Sequence, residues 1–365
     1  MSFSYIHTDP RVLKQIRHFA MTYDVVTCGY GQAPPDVVRH LEIPISAPNG
    51  LNGRYITLRA YQAAYSRQLG VRYARSLVSG LDVDVAIAND IEAVPIALSA
   101  SVHHGVLADM HEYFPRWREE NELWKRRIGP YYAWLCRKYL ARARRVSTVS
   151  SGLAREYTSL IGTDVAVVRN ATPYHDLTPT PVGEPIRLVH SGLALRRRHL
   201  ELIIEAVGRL AGKVELDLYL VKSDPSCHAD LEMLAASTTN VTMHDPVPYD
   251  ELIPTLNEYD VGIHVIPAVS FNNRWALPNK FFDYVQARLG IAIGPSPEMA
   301  GLVDEHRLGV VADGFTVDDV ERMIVGLDGP QISAYKAAAH ASARELSADT
   351  EVAKWDAMIS SMIES

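Results

Sequence analysis

The chain has 365 residues, room for two domains of ordinary size. With 47% apolar and 22% charged residues it has the composition of a globular protein, not of a disordered or fibrous one. Its net charge of −7 gives no ground for a nucleic-acid partner.

Short apolar strands alternate with amphipathic helices from one end to the other, the pattern of α/β domains built on parallel sheets. In the first half, strands are predicted at Phe3–His7, Asp24–Cys28, Val83–Ala88, Gly105–Asp109, Arg145–Val149 and Asp164–Val168. Helices are predicted at Pro10–Met21, Leu58–Val78 and Glu122–Ala143, and Ser150 or Ser151 is placed to cap a helix running to Leu160. The segment Ala171–Pro185 then breaks the pattern. Four prolines, one glycine and few large apolar side chains give it the make-up of a linker. Beyond it the alternation restarts. Strands are predicted at Arg187–Ser191, Glu215–Val221, Val241–His244, Val261–Val265, Ile291–Gly294 and Gly309–Val311. Helices are predicted at Arg196–Ala211, Ala229–Ala236, Tyr249–Glu258, Lys280–Arg288, Glu298–Glu305 and Thr316–Leu327, with C-terminal helices from about Ser333 to Ser361.

The first ten residues hold no basic stretch followed by an apolar run, so no secretory leader is expected. No apolar run approaches the roughly 18 residues that a membrane-spanning helix needs. The three cysteines, Cys28, Cys136 and Cys227, lie far apart without metal-ligand spacing, which fits a reducing, cytoplasmic setting.

In a doubly wound sheet the ligand sits at the carboxyl ends of the strands, so residues just past predicted strands are the candidates. Ser191–His199 reads SGLALRRRH, a strand end, Gly192, and then Arg196, Arg197 and Arg198 where a helix opens. Guanidinium groups at a helix start suit a diphosphate, because they bind phosphate bidentately and the free N–H groups add to the attraction. A solvated basic turn is the plainer alternative. Val265–Leu289 reads VIPAVSFNNRWALPNKFFDYVQARL. Here Pro278 opens a helix with Asn279 and Lys280 in its first turn, and Asp283 follows on the side of Asn279. A carboxylate in that place can accept two ribose hydroxyls; on its own an ordinary exposed helix residue is the commoner case. Lys222, past the strand ending at Val221, and Asn273, in the loop before Pro278, complete the donor-side candidates.

These segments together resemble the retaining GT-B glycosyltransferases of family 4 (glycosyl transferases group 1). Gly192 and Arg198 match the family's glycine and the basic residue six positions on, and Leu200–Ala206 is similar to the helix that follows. Leu277–Leu289 resembles its leucine-proline-asparagine-lysine helix, and Asp283 takes the place of the second acid of its paired-glutamate motif. Ser296–Met299, Leu308–Val310, Asp109–Phe114, Val149–Ala154 and Val168–Ala171 fall on further landmarks, so the likeness runs from about residue 83 to 325. Trp275 stands where the first glutamate of the pair is usual, Leu193 replaces a basic residue, and His7–Arg11 replaces a glycine-rich loop.

The resemblance implies a GT-B fold, two Rossmann-like doubly wound parallel-sheet domains facing across a cleft. Residues 1–175 would form the acceptor-side domain, with a C-terminal helix at about 345–365 packing back on it, and residues 176–344 the nucleotide-sugar domain. It implies glycosyl transfer from a nucleotide-diphosphate sugar to a hydroxyl acceptor, small molecule or glycan, with retention. No metal is expected, because Arg197, Arg198, Lys280 and a helix dipole would neutralise the diphosphate. His111 would lie near the transferred sugar; Glu112 would contact the acceptor or cap a helix; Asp9 and Asp90 could orient an acceptor hydroxyl. A sugar-nucleotide epimerase on the same fold, or a catalytically silent GT-B partner subunit, also fits, the latter because of Trp275.

Residues 116–145 hold ten Lys or Arg against three Glu, with Trp117, Trp124 and Trp134 among them. A basic, aromatic face can meet an anionic membrane. The recurrence of Trp124, Ile128, Tyr131, Tyr132, Leu135 and Tyr139 at helical spacing favours core packing instead.

Overall fold

The computed structural model describes residues 1–364. The chain divides into two compact units. The first comprises Met1–Arg169, Ser270–Asn272 and the chain from Val352 on; the second comprises Asn170–Val269 and Asn273–Glu351.

The first unit is built on parallel strands. Ala86–Asn89, Val106–Met110, Arg145–Thr148 and Ala166–Val167 form a four-stranded sheet in chain order. Val26–Tyr30 pairs with Arg39–Ile43, a strand that periodicity alone does not reveal. The extended segment Met1–Tyr5 lies between the two groups. Met1 exchanges hydrogen bonds with Ile87 and Asn89 on one side, while Ser2 N–H donates to Cys28 O and Tyr30 N–H to Ser4 O on the other. The regular strand expected at Phe3–His7 is thus reduced to a single bridge, Tyr5 to Tyr30. Asp9 caps the helix Pro10–Phe19 at once, and that draws Ile6–Thr8 into a 3-10 turn. A second short pair joins Asp82–Val83 to Ser101–Val102.

Two long helices expected here are broken. Leu58–Val78 becomes Tyr61–Ser66 and Leu69–Val78, because Arg59 takes a left-handed φ of 53° and Gln68 is extended. Glu122–Ala143 becomes Glu122–Arg127 and Gly129–Tyr139, the break falling just before Pro130. Trp124, Tyr131, Tyr132 and Leu135 are buried in this pair, so most of the aromatic stretch is core. From the final helix, Trp355, Ile359 and Met362 pack with Phe19, Leu107 and Val168.

The second unit holds one six-stranded parallel sheet. Its order is Val241–His244, Val214–Val221, Ile186–Leu193, Val261–His264, Gly290–Ile293, Gly309–Val311. Counted along the chain this is 3-2-1-4-5-6, the doubly wound arrangement. Apolar clusters cover both faces. Strands such as Val261–His264 are buried at every position, which is why they read as unbroken apolar runs. Gly262 has a packing reason: a Cβ there would collide with the Tyr284 ring. The linker residues 171–183 carry neither helix nor strand but are tied down. Buried Asp260 accepts the N–H groups of Gly183 and Arg187 and lies 3.6 Å from Lys336 Nζ. Among the described residues no helix is long and apolar enough to cross a membrane.

Candidate active site

In the second unit the strand order reverses between Ile186–Leu193 and Val261–His264. Such a switch point opens the crevice in which doubly wound sheets bind ligands. The carboxyl ends of these two strands carry His190, Ser191, Gly192 and His264. The helix Asn279–Gln286, N-capped by Pro278, sends Lys280 Nζ to the Ser191 carbonyl at 2.6 Å. A Cβ on Gly192 would meet Lys280 Nζ, and would lie 2.9 Å from Arg198 Nη1. Only a glycine leaves this space free, and two cations converge on it.

The cradle concentrates buried positive charge. Burial, together with the Arg198 charge, pulls the Lys280 ammonium down to about 7. Burial and neighbouring Arg197 lower Arg198 as well. Asp283 opposes this through its attraction for Lys280, and it is buried with the Thr172 hydroxyl hydrogen-bonded to Oδ1. Asn279 Oδ1 accepts from Asn170 Nδ2 at 2.7 Å.

The other donor-side candidates are placed differently. Arg196–Arg198 do not start the helix expected at Arg196–Ala211. They form a 3-10 turn closed by left-handed His199, and the helix runs from Glu201 to Gly208. Arg198 turns inward, Arg197 is exposed, and Arg196 pairs with Asp230 at 2.6 Å. Lys222 lies exposed beyond its strand. Asn273 is half-buried, its carbonyl accepting the Ala276 N–H. At the place of the absent glutamate, the half-buried Trp275 ring lies 5.6 Å from the Arg274 guanidinium.

Two histidines at this switch point escape sequence reasoning, because each lies inside an apolar strand run. The His190 and His264 rings stack with centroids 5.8 Å apart and 4° between planes. Burial, then the Lys280 charge, holds both well below the usual histidine range, so both are neutral.

The first unit gathers a second cluster at the strand ends. Asp109 is fully buried and accepts from Arg11 Nε at 2.7 Å, Arg11 Nη2 at 2.8 Å, Gln15 Nε2 at 2.8 Å and Ser147 Oγ at 2.6 Å. His111 Nε2 lies 3.2 Å from Asn89 Oδ1 and 3.5 Å from Asp109 Oδ2, and its Nδ1 lies 3.6 Å from Asp90 Oδ2. Burial works against the imidazolium, but Asp90 and Asp109 outweigh it and raise His111. Asp90 holds a left-handed φ of 66°, accepts the His111 N–H at 3.0 Å, and is itself raised, mainly by burial. Beside it Glu92 is raised to about 7 by burial and by Asp90, with Tyr132 donating to it at 3.2 Å. Asp9 is occupied as a helix cap, accepting from the N–H groups of Arg11 and Val12. The Glu112 carbonyl accepts from the Tyr157 hydroxyl at 2.6 Å. Arg11, Gln15, Glu92 and Asp109 were not candidates from sequence. Arg11 and Asp109 stand 98 positions apart, and no local pattern links them.

No family model matches the sequence, and no curated protein does. Solved structures do. The chain is similar to an alpha,alpha-trehalose 6-phosphate synthase from Burkholderia multivorans, with 12% identity and a TM-score of 0.67 over 99% of this chain and 97% of the other. It is similar to an alpha,alpha-trehalose-phosphate synthase (UDP-forming) from Burkholderia xenovorans in complex with glucose-6-phosphate, with 12% identity and a TM-score of 0.60 over 83% and 77%. A pneumococcal O-GlcNAc transferase, GtfA, in complex with UDP and GlcNAc, matches with 10% identity and a TM-score of 0.61 over 80% and 60%. The chain has the GT-B fold.

Proposed function

We propose that this GT-B protein is a glycosyltransferase that takes a sugar from a nucleoside-diphosphate donor to a hydroxyl acceptor, with retention and without a metal, in the manner of family 4. The observation that carries the reading is the Gly192 cradle at the topological switch point, with Arg198 and Lys280 converging where a side chain would be. The UDP bound or formed by the similar structures makes a uridine nucleotide the first donor to test.

In the reaction the bond from the anomeric carbon to the diphosphate oxygen breaks, and its electron pair stays on the diphosphate. The acceptor oxygen forms the new bond and gives up its proton. Negative charge therefore grows on the leaving phosphate, and Arg198 and Lys280, fixed and desolvated beforehand, stabilise it; losing one such contact typically costs about 3 kcal/mol of transition-state stabilisation. Asp283 would accept the ribose hydroxyls. In the first unit His111, its imidazolium favoured by Asp90 and Asp109, would hold oxygens of the transferred sugar, with Asp90 and Glu92 beside the acceptor hydroxyl. The three cysteines are free and buried, which suits a reducing compartment.

Incubation with UDP-, GDP-, ADP- and dTDP-sugars, followed by assay for released nucleoside diphosphate, tests the reading. Slow hydrolysis of one donor, abolished in Arg198→Ala, supports it. Interconversion of a sugar nucleotide without release would favour an epimerase. No turnover and no binding with any donor would sink it.

A further inference from the structure

His190 is fully buried near the carboxyl end of its strand, two residues before Gly192 and so on the same face of the sheet. Its Nδ1 lies 2.8 Å from the carbonyl oxygen of Ile263. A carbonyl only accepts, so Nδ1 carries the hydrogen, and Nε2 is left as a bare lone pair. That lone pair has no hydrogen-bond partner among the described residues. It lies 3.6 Å from the point a Cβ on Gly192 would occupy, the same point on which Lys280 Nζ and Arg198 Nη1 converge.

The surroundings are one-sided in charge. His264, stacked on the ring, is neutral, and its Nδ1 also lacks a partner among the described residues. On the neighbouring strand the residue in register is Leu218, which brings no charge. The helix Asn279–Gln286 brings Lys280, Tyr284 and Asp283, and the turn before Glu201 brings Arg198. Asp283 is the one acid of this set, and it is engaged by Thr172. With two cations facing it, an imidazolium at His190 is repelled while the cradle is empty. A diphosphate in the Gly192 space reverses the sign of that field.

We propose that His190 is a phosphate ligand of this cradle and binds as the imidazolium, so that a nucleoside-diphosphate sugar enters together with one proton drawn from solvent. The proton passes from water or buffer to Nε2, which changes from an unused acceptor into a donor to a phosphate oxygen. When the glycosyl bond breaks, the leaving diphosphate gains a further negative charge, and the imidazolium N–H already rests against it. The inference rests on the donor reading above, and it adds a ligand that the family resemblance does not name.

Calorimetric titration with UDP-glucose, UDP-N-acetylglucosamine, GDP-mannose and ADP-glucose tests it, because none of these titrates near neutral pH. Comparing buffers of different ionisation enthalpy counts the protons taken up. We expect uptake in the wild type, with affinity rising by up to about tenfold per unit fall in pH for each proton bound. Lys280 also gains protonation on binding, so the decisive comparison is between variants. Uptake falls by close to one proton in His190→Gln, whereas Lys280→Met keeps the His190 share. Undiminished uptake in His190→Gln overturns the proposal. Should that variant fail to fold, nitrogen NMR of labelled histidine in the wild type replaces it. The His190 Nε2 signal must move from bare to protonated on saturation, and an unmoved signal overturns the proposal. Failure of every nucleotide sugar to bind sinks the donor reading itself; binding without proton uptake sinks this inference alone.

Discussion

Arg11 holds Asp109 with two guanidinium N–H groups, at 2.7 and 2.8 Å, in a pair sealed from solvent and backed by Trp355, whose ring lies 4.8 Å from the Arg11 guanidinium carbon. Burial alone would raise Asp109, but Arg11 and His111 hold its carboxyl well below the ordinary value of 3.8. The resulting stability is present above that value and fades as pH falls below it. Asp109→Asn leaves Arg11 buried without its counter-charge and is expected to cost about 3–5 kcal/mol. Chemical denaturation at pH 7 checks the size. A loss of under about 1 kcal/mol, the scale of an exposed pair, would show that the pair is not buried in solution.

Gly192→Ala probes the cradle directly. The added methyl takes the space on which Lys280 and Arg198 converge, at a φ of 156° that disfavours a side chain. Donor affinity should fall at least tenfold, with some loss in Tm, so affinity is read on the folded protein. Unchanged donor affinity, read by titration, would remove Gly192 from the site.

Asp283→Asn should raise the donor KM more than it lowers kcat, because the ribose contacts assigned to this carboxylate act equally on ground and transition states. Its buried bond with Thr172 makes some loss of stability inevitable. Melting curves at saturating and zero donor therefore separate the two effects. A KM equal to that of the wild type would assign Asp283 to packing alone.

Glu92 predicts a pH signature. Its carboxyl is raised from 4.5 to about 7, so the folded state prefers it protonated. Its contribution is fully present below 4.5 and lost as pH rises through 7. Glu92→Gln should therefore gain stability relative to the wild type between pH 5 and 8. Parallel Tm profiles across that range would contradict the raised value.

The legible and illegible parts of the molecule have different physical causes. Val261–His264 and Gly290–Ile293 are buried on both faces, and a run of apolar residues bounded by polar ones suffices to find them. Arg39–Ile43, with exposed and half-buried positions, offers no such run. At the site, a glycine past a strand and a proline-opened helix are local signals, and they made Gly192 and Lys280 candidates; Arg198 was a candidate through a helix start that the structure replaces with a 3-10 turn. The resemblance put Arg198 before Arg197, and in the structure Arg198 turns inward while Arg197 is exposed beside the left-handed turn at His199. The Arg11–Asp109 pair and the His190–His264 stack depend on strand order, which joins distant residues.

The last helix also bears on how the protein comes into being. Phe19, Leu107 and Val168 find their cover in Val352, Trp355, Ile359 and Met362, which are synthesised only after the whole second unit. At rates of synthesis on the order of 5–20 residues per second, the nascent first unit waits roughly 10–40 s with that apolar face bare. The second unit, complete at Glu351, can close before the first does. The half of the chain made first is thus the half finished last, and chaperone occupancy during translation should concentrate on it.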